Sequence, residues 1–243
     1  MPTDPGFLCG FGKHTHSESC YDADGILLCT VPEHTHTAEC ILETYDATAD
    51  VESAGIWEST LSAVPTTDNW NENLVAIAKS QLGYTESKRN VVLLEDESLK
   101  GYTRYGAWYG DPYGDWCAMF ASFCMHYAGI ENVPMDANCP NWINQLIELN
   151  FYRTPDLYMP KPGDLIFFDW NDNESSDHVG IVAEIIPPDE ETYGKIITIE
   201  GNAGNSVAMC AYSIDDPTIL GYGLIPSGKQ TTLLSRGEDY SIE

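Results

Sequence analysis

The run Trp116-Cys-Ala-Met-Phe-Ala-Ser-Phe-Cys-Met125 carries no charged side chain and constrains the fold more than any other stretch of the chain. A helix that is apolar all round has to be buried, so other elements must be layered about it. The run follows a turn marked by Pro112 and Gly114, and Asp115 stands at the expected N-cap. Cys117 then falls in the first helical turn. Unpaired N–H groups and the positive end of the helix dipole stabilise a thiolate there. A thiolate with a base beside it is a usable nucleophile near neutral pH. The alternative is an inert core cysteine, a common fate for that residue. Whether the chain supplies a base and a group to orient it separates the two.

Only two of the six histidines, His126 and His178, lie outside an N-terminal pair of repeats. His126 is nine residues after Cys117 on the same helix, and nine steps of about 100° carry it to the opposite side. His178 opens the strand His178-Val-Gly-Ile-Val-Ala-Glu-Ile-Ile186, directly after the polar loop Asp169–Asp177. Glu200 closes the next strand, Lys195-Ile-Ile-Thr-Ile-Glu200, and Asn202 follows two residues on. Residues two apart on extended chain share a face, so Glu200 and Asn202 can both reach one imidazole. Cys117, His178, Glu200 and Asn202 are therefore the candidate catalytic set.

Around these residues the spacing predicts a helix over Asn71–Leu82 opened by Thr67-Asp68 and ended at Gly83, and another over Asn138–Leu149. Strands follow at Leu165–Phe168, 178–186, 195–200, 207–214 and 222–225. Helices first and strands after them predict an α+β fold with a mostly antiparallel sheet. The aromatic stretch Tyr102–Tyr113 reads as a loop, either the wall of a groove or plain packing.

Residues 9–40 hold an internal repeat of period twenty. Cys9, His14, His16 and Cys20 align with Cys29, His34, His36 and Cys40, each set spaced C-x4-H-x-H-x3-C. Each repeat taken alone offers four N/S ligands, a set that suits a structural zinc and leaves no open position for catalysis. So short a segment has almost no core and needs a metal or disulfides to fold. The alternative to zinc is a Cys9–Cys20 and Cys29–Cys40 disulfide pair, which leaves the repeated His-Thr-His unexplained. The expected organisation is repeats over 1–45, an acidic linker over 46–67 with a short helical piece near Ile56–Val64, a main domain over 68–228 and a polar tail over 229–243.

Eleven basic residues against 38 acidic ones give a net charge of −27, which argues against nucleic-acid binding and against adhesion to anionic surfaces. No apolar run reaches transmembrane length. The opening Met-Pro-Thr-Asp-Pro-Gly lacks the features of a signal peptide, so the expectation is either a cytosolic protein or a trimmed mature form. Asp169-Trp-Asn171-Asp-Asn173 begins like a calcium loop, but Glu174 and Gly180 stand where such a loop needs glycine and glutamate, so no calcium is expected.

Trp116-Cys-Ala-Met-Phe-Ala-Ser-Phe, Lys161-Pro-Gly-Asp-Leu-Ile-Phe-Phe, Asp177-His-Val-Gly-Ile-Val and Ile199-Glu-Gly-Asn202, in that order, resemble the CHAP family of papain-like, cysteine- and histidine-dependent cell-wall hydrolases. The resemblance covers residues 70–226, and it is the combination of words that is specific. It implies a papain-like fold, peptidoglycan as substrate and cleavage of an amide bond, by an N-acetylmuramoyl-L-alanine amidase or a peptide endopeptidase. It implies Cys117 as nucleophile, His178 as base and then acid, Glu200 as the group that orients the ring and Asn202 as an assistant. It also implies an extracellular or wall-associated place of action. The repeats are similar to Cys/His repeats of Gram-positive surface proteins. Cys124, Cys139 and Cys210 are not accounted for by the resemblance; Cys124 is expected in the core, and a Cys139–Cys210 disulfide is conceivable. The competing reading is a non-catalytic surface protein that keeps the fold as a scaffold and works through its repeats.

Overall fold

The computed structural model describes residues 8–9, 12–188 and 194–228; the tail expected at 229–243 lies outside them. Its helices are α1 (Ala54–Leu61), α2 (Trp70–Ser80), α3 (Arg104–Tyr109), α4 (Cys117–Tyr127) and α5 (Cys139–Glu148). A hairpin, β1 (Val91–Leu93) and β2 (Leu99–Gly101), precedes α3. After the helices come β3 (Tyr152–Arg153), β4 (Leu165–Phe168), β5 (His178–Ile186), β6 (Lys195–Glu200), β7 (Ala208–Ser213) and β8 (Ile219–Gly223). The last six form one sheet in the order β3-β8-β4-β5-β6-β7, every neighbouring pair antiparallel. The α+β expectation holds.

The apolar run is α4, and it is central. Residues 117–125 are all buried, while His126 stands exposed on the outer side, away from Cys117. Leu74 and Ile77 of α2, Tyr105 of α3, Val179 and Ile181 of β5 and Ile199 of β6 share its core. Phe120 and Phe123 are wholly buried there, each worth about 1.5–3 kcal/mol. β4 explains why Leu-Ile-Phe-Phe shows no alternation. Leu165 and Phe167 face the helical core, and Ile166 and Phe168 enter a second core on the other side of the sheet with Val182, Ile196, Ile219 and Tyr222. A strand covered on both faces reads as a continuous apolar run.

Three stretches depart from expectation. The aromatic segment before α4 contains α3, capped by Thr103 through Gly106 N–H and ended by Gly110 at φ 106°. Tyr102 and Tyr105 are packing, with Tyr105 fully buried and stacked on Trp116 at 5.3 Å. The opening residue of α2 is Asn69, which accepts from the N–H groups of Asn71 and Glu72, and not Thr67-Asp68. The acidic stretch 46–67 is bound to the domain rather than linking to it. Trp57 and Leu61 of α1 enter the main core, and Trp57 Nε1 donates to Tyr127 Oη at 2.8 Å. Ser87 donates to Asp50 at 2.6 Å, and Glu52 pairs with Arg104 at 2.8 Å.

Candidate active site

The N-terminus of α4 is set by Trp116, which is fully buried and donates from Nε1 to Glu86 Oε2 at 3.2 Å. Anchoring of the indole makes Trp116 the N-cap residue, with no side-chain cap. Asp115, expected in that place, is one residue too early; it points outward and pairs with Lys100 Nζ at 2.6 Å. The first turn of α4 therefore lacks a neutralising carboxylate, and its positive end is left to the Cys117 sulfur.

His178 enters from the first position of β5, paired with Phe168 of β4. Ser176 Oγ bonds the carbonyls of both Phe168 and His178 and pins this strand start. Glu200 arrives at the end of β6, and its Oε2 lies 2.9 Å from His178 Nε2. That engages Nε2 and leaves Nδ1 as the other ring nitrogen, and the Cys117 sulfur and the ring are close enough to shift each other's pKa. Thr198 donates to Glu200 Oε1 and Tyr212 Oη donates to Oε2 at 3.2 Å, so the carboxylate, 1% exposed, is held from three sides. A Cβ on Gly180 would stand 2.8 Å from Glu200 Cγ, which is why a glycine follows His-Val here.

Around the sulfur, Cys139 Sγ lies 4.0 Å from Cys117 Sγ. The Cys117 thiol is held well below its usual range, first by the hydrogen bond from Cys139, then by His178 and by the Val179 backbone, against the opposing effect of burial. Cys139 is raised correspondingly, by its bond to Cys117 and by burial. For His178, burial works against the charged ring, but the hydrogen bonds and charges of Cys117 and Glu200 outweigh it and push the pKa up to about 9. The pair favoured by this arrangement is a thiolate beside an imidazolium.

Trp170, 52% exposed, stacks on the His178 ring at 4.6 Å and 24°. It is an aromatic wall beside the imidazole, a role the sequence had offered to the 102–113 stretch. Its loop is braced internally. Asp169 accepts from the N–H groups of Asn173 and Glu174, and Asp177 accepts from those of Trp170 and Asn171. Of the carboxylates in the stretch that resembled a calcium loop, Asp169 is thus engaged with backbone amides.

Of the four expected residues, Cys117, His178 and Glu200 come together. Asn202 sits beyond β6 in the turn with φ 58°, and among the described residues no hydrogen bond joins it to His178. The left-handed turn ends the strand alternation on which its placement had rested. Cys124 is wholly buried and its thiol is raised by burial. The conceivable Cys139–Cys210 bridge does not form, because α5 starts at Cys139 and aims it at Cys117, whereas Cys210 lies on β7 beside Glu200 and Tyr212. Cys139 and Trp170 had no signal in the sequence. Thr198 had one: it lies two residues before Glu200 on the same strand.

The repeats hold two Cys/His clusters, and each mixes the two repeats. Donor atoms of Cys9, His34 and His36 lie within 4.8 Å of one another, as do those of His14, His16 and Cys29. Cys40 Sγ lies 3.7 Å from His34 Nε2, and Cys29 N–H bonds Cys20 O at 3.3 Å. The sets expected within single repeats, Cys9-His14-His16-Cys20 and Cys29-His34-His36-Cys40, are therefore not the ones assembled. No disulfide joins any of these cysteines.

The family model of the CHAP domain matches residues 108–202, a span that includes Cys117, His178 and Glu200. No curated protein and no solved structure matches the chain.

Proposed function

We propose, from the CHAP domain at residues 108–202, that this chain is a cysteine hydrolase that cuts an amide bond of peptidoglycan, as an N-acetylmuramoyl-L-alanine amidase or a peptide endopeptidase. The observation that carries the reading is the buried chain Cys117–His178–Glu200 at an uncapped helix start, with His178 Nε2 2.9 Å from Glu200. Cys117 is the nucleophile. Its thiolate attacks the amide carbon, and the oxyanion that forms is met by the Cys117 N–H at the start of α4. His178, charged in the resting pair, gives its proton to the leaving amine and then takes one from the water that hydrolyses the thioester. Glu200 holds the ring in the tautomer and orientation this needs, and stabilises its charge. Asn202 is assigned to the turn that closes β6 rather than to a contact with the imidazole.

The hydrolase unit on this reading begins near residue 46 and ends near 228, and its place of action is the cell wall. Among the described residues no helix is long and apolar enough to cross a membrane. The Cys/His clusters serve as structural zinc sites and take no part in the chemistry.

The test is mass spectrometry of fragments released from purified peptidoglycan by the wild type, with Cys117→Ala, His178→Ala and His126→Ala alongside. Fragments are expected from the wild type and His126→Ala only, and their new termini name the bond. Activity surviving in His178→Ala overturns the assignment of the acid and base, and no fragments from folded wild type on several wall types overturns the hydrolase in favour of a binding scaffold.

A further inference from the structure

We infer that residues 9–40 bind two zinc ions in crossed sites, one held by Cys9, His34, His36 and Cys40 and the other by Cys29, His14, His16 and Cys20. The inference rests on the zinc reading of the repeats and adds how the ligands are shared. Neither repeat is then a bead that folds by itself. Each ion ties the leading cysteine of one repeat to the H-x-H-x3-C of the other.

The crossing follows from how the two segments pair. His14 and His34 form an antiparallel bridge, with N–O distances of 2.9 and 2.8 Å in the two directions. In an antiparallel pair, chain before the contact on one segment runs beside chain after the contact on the other. Cys9, five residues before His14, is thus carried toward the end of the second repeat, where Leu8 N–H bonds Cys40 O at 2.7 Å. Cys29, five residues before His34, is carried toward the end of the first, where Leu28 N–H bonds Cys20 O at 2.8 Å. The 3-10 turn at Ala38–Cys40 brings Cys40 back to His34 of its own repeat, and the matching turn at Glu18–Cys20 sets Cys20 beside Cys29, whose N–H bonds Cys20 O at 3.3 Å.

The distances from each leading cysteine, and from Cys40, to a histidine suit the ion. Zn–S of about 2.3 Å and Zn–N of about 2.0–2.1 Å at tetrahedral angles put S···N edges at about 3.6 Å. Cys9 Sγ lies 3.2 Å from His34 Nε2, Cys29 Sγ 3.3 Å from His14 Nε2, and Cys40 Sγ 3.7 Å from His34 Nε2. His16 has the outer bond that orients a ligating ring: its Nε2 lies 2.9 Å from Val31 O. Two thiolates and two imidazoles per site make a closed N2S2 set, which suits structural zinc and leaves no position for a substrate.

The experiment uses the full chain, purified under reducing conditions and loaded with zinc, with bound metal measured by mass spectrometry. Two zinc ions per chain are expected for the wild type. A wild type with none, or with disulfides in place of thiols, overturns the zinc reading itself. Two double variants then read the connectivity. Cys9→Ala/His34→Ala removes two ligands from one crossed site and is expected to keep one zinc, whereas Cys9→Ala/His14→Ala damages both sites and is expected to keep none. The reverse pattern overturns the crossing while leaving zinc binding intact. Should both variants lose all metal, the wild type loaded with cadmium-113 decides by proton–cadmium correlation. The ion coupled to the His34 and His36 ring protons is expected to couple to the Cys9 methylene protons, and coupling to those of Cys29 instead overturns the proposal.

Discussion

At the scale of single residues the controlling quantity is the charge on His178. Its pKa is raised to about 9 in the folded protein, so the imidazolium persists up to that pH and is lost above it. Cys117 is lowered, so its thiolate forms at a pH below the usual thiol range. A reaction that needs both gives a bell-shaped kcat/KM whose limbs belong to the pair, with the alkaline limb expected near 9. Glu200→Gln removes the charge that helps hold the ring protonated. The expected result is an alkaline limb moved down toward the ordinary histidine value of about 6.5, with kcat/KM reduced about 100-fold or more. A pH–rate profile of the two proteins checks this, and an unmoved limb would remove Glu200 from its orienting role.

At the scale of elements, catalysis depends on how closely the start of α4 approaches the end of β6. Gly201 is the contact: a Cβ there would stand 2.4 Å from Phe120 Cβ, which lies one turn into α4. Both atoms belong to rigid, buried elements, so neither yields without shifting the helix. Gly201→Ala is expected to cost about 1–3 kcal/mol by overpacking and to separate Cys117 from His178. Denaturant unfolding measures the first effect. Iodoacetamide labelling of Cys117 measures the second, with the alanine variant expected to label more slowly near pH 6 because the thiolate loses its partner. A destabilised variant with unchanged labelling would show that the helix shift does not reach the sulfur.

At the scale of the whole molecule the dominant property is a net charge of −27. An anionic enzyme on an anionic wall meets repulsion that salt screens, since the Debye length falls from about 30 Å at 0.01 M to about 8 Å at 0.15 M. Hydrolysis of intact anionic walls is expected to rise severalfold over that range, while hydrolysis of small soluble wall fragments changes little. Equal salt dependence on the two substrates would mean that the charge acts on folding or on the active site, not on approach to the wall.

The sequence by itself determined the elements whose pattern is local. The apolar run had to be a buried helix, His178 and Glu200 had to sit at strand ends, and Leu165–Phe168 had to be a buried strand, because each follows from periodicity and length along a few residues. Cys117, His178 and Glu200 were legible for the same reason: each stands at an element boundary that the sequence marks. What only the tertiary structure decided are the contacts between elements. Cys139 beside Cys117, Trp170 over His178, Trp57 docked into the core and the left-handed turn at Asn202 all depend on where a helix start or a turn is aimed in space. The repeats show the division most directly. Their spacing announced two four-ligand sets, but an antiparallel pairing at His14 and His34 exchanged the leading cysteines, and the direction in which two segments pair is not written in the spacing of either one.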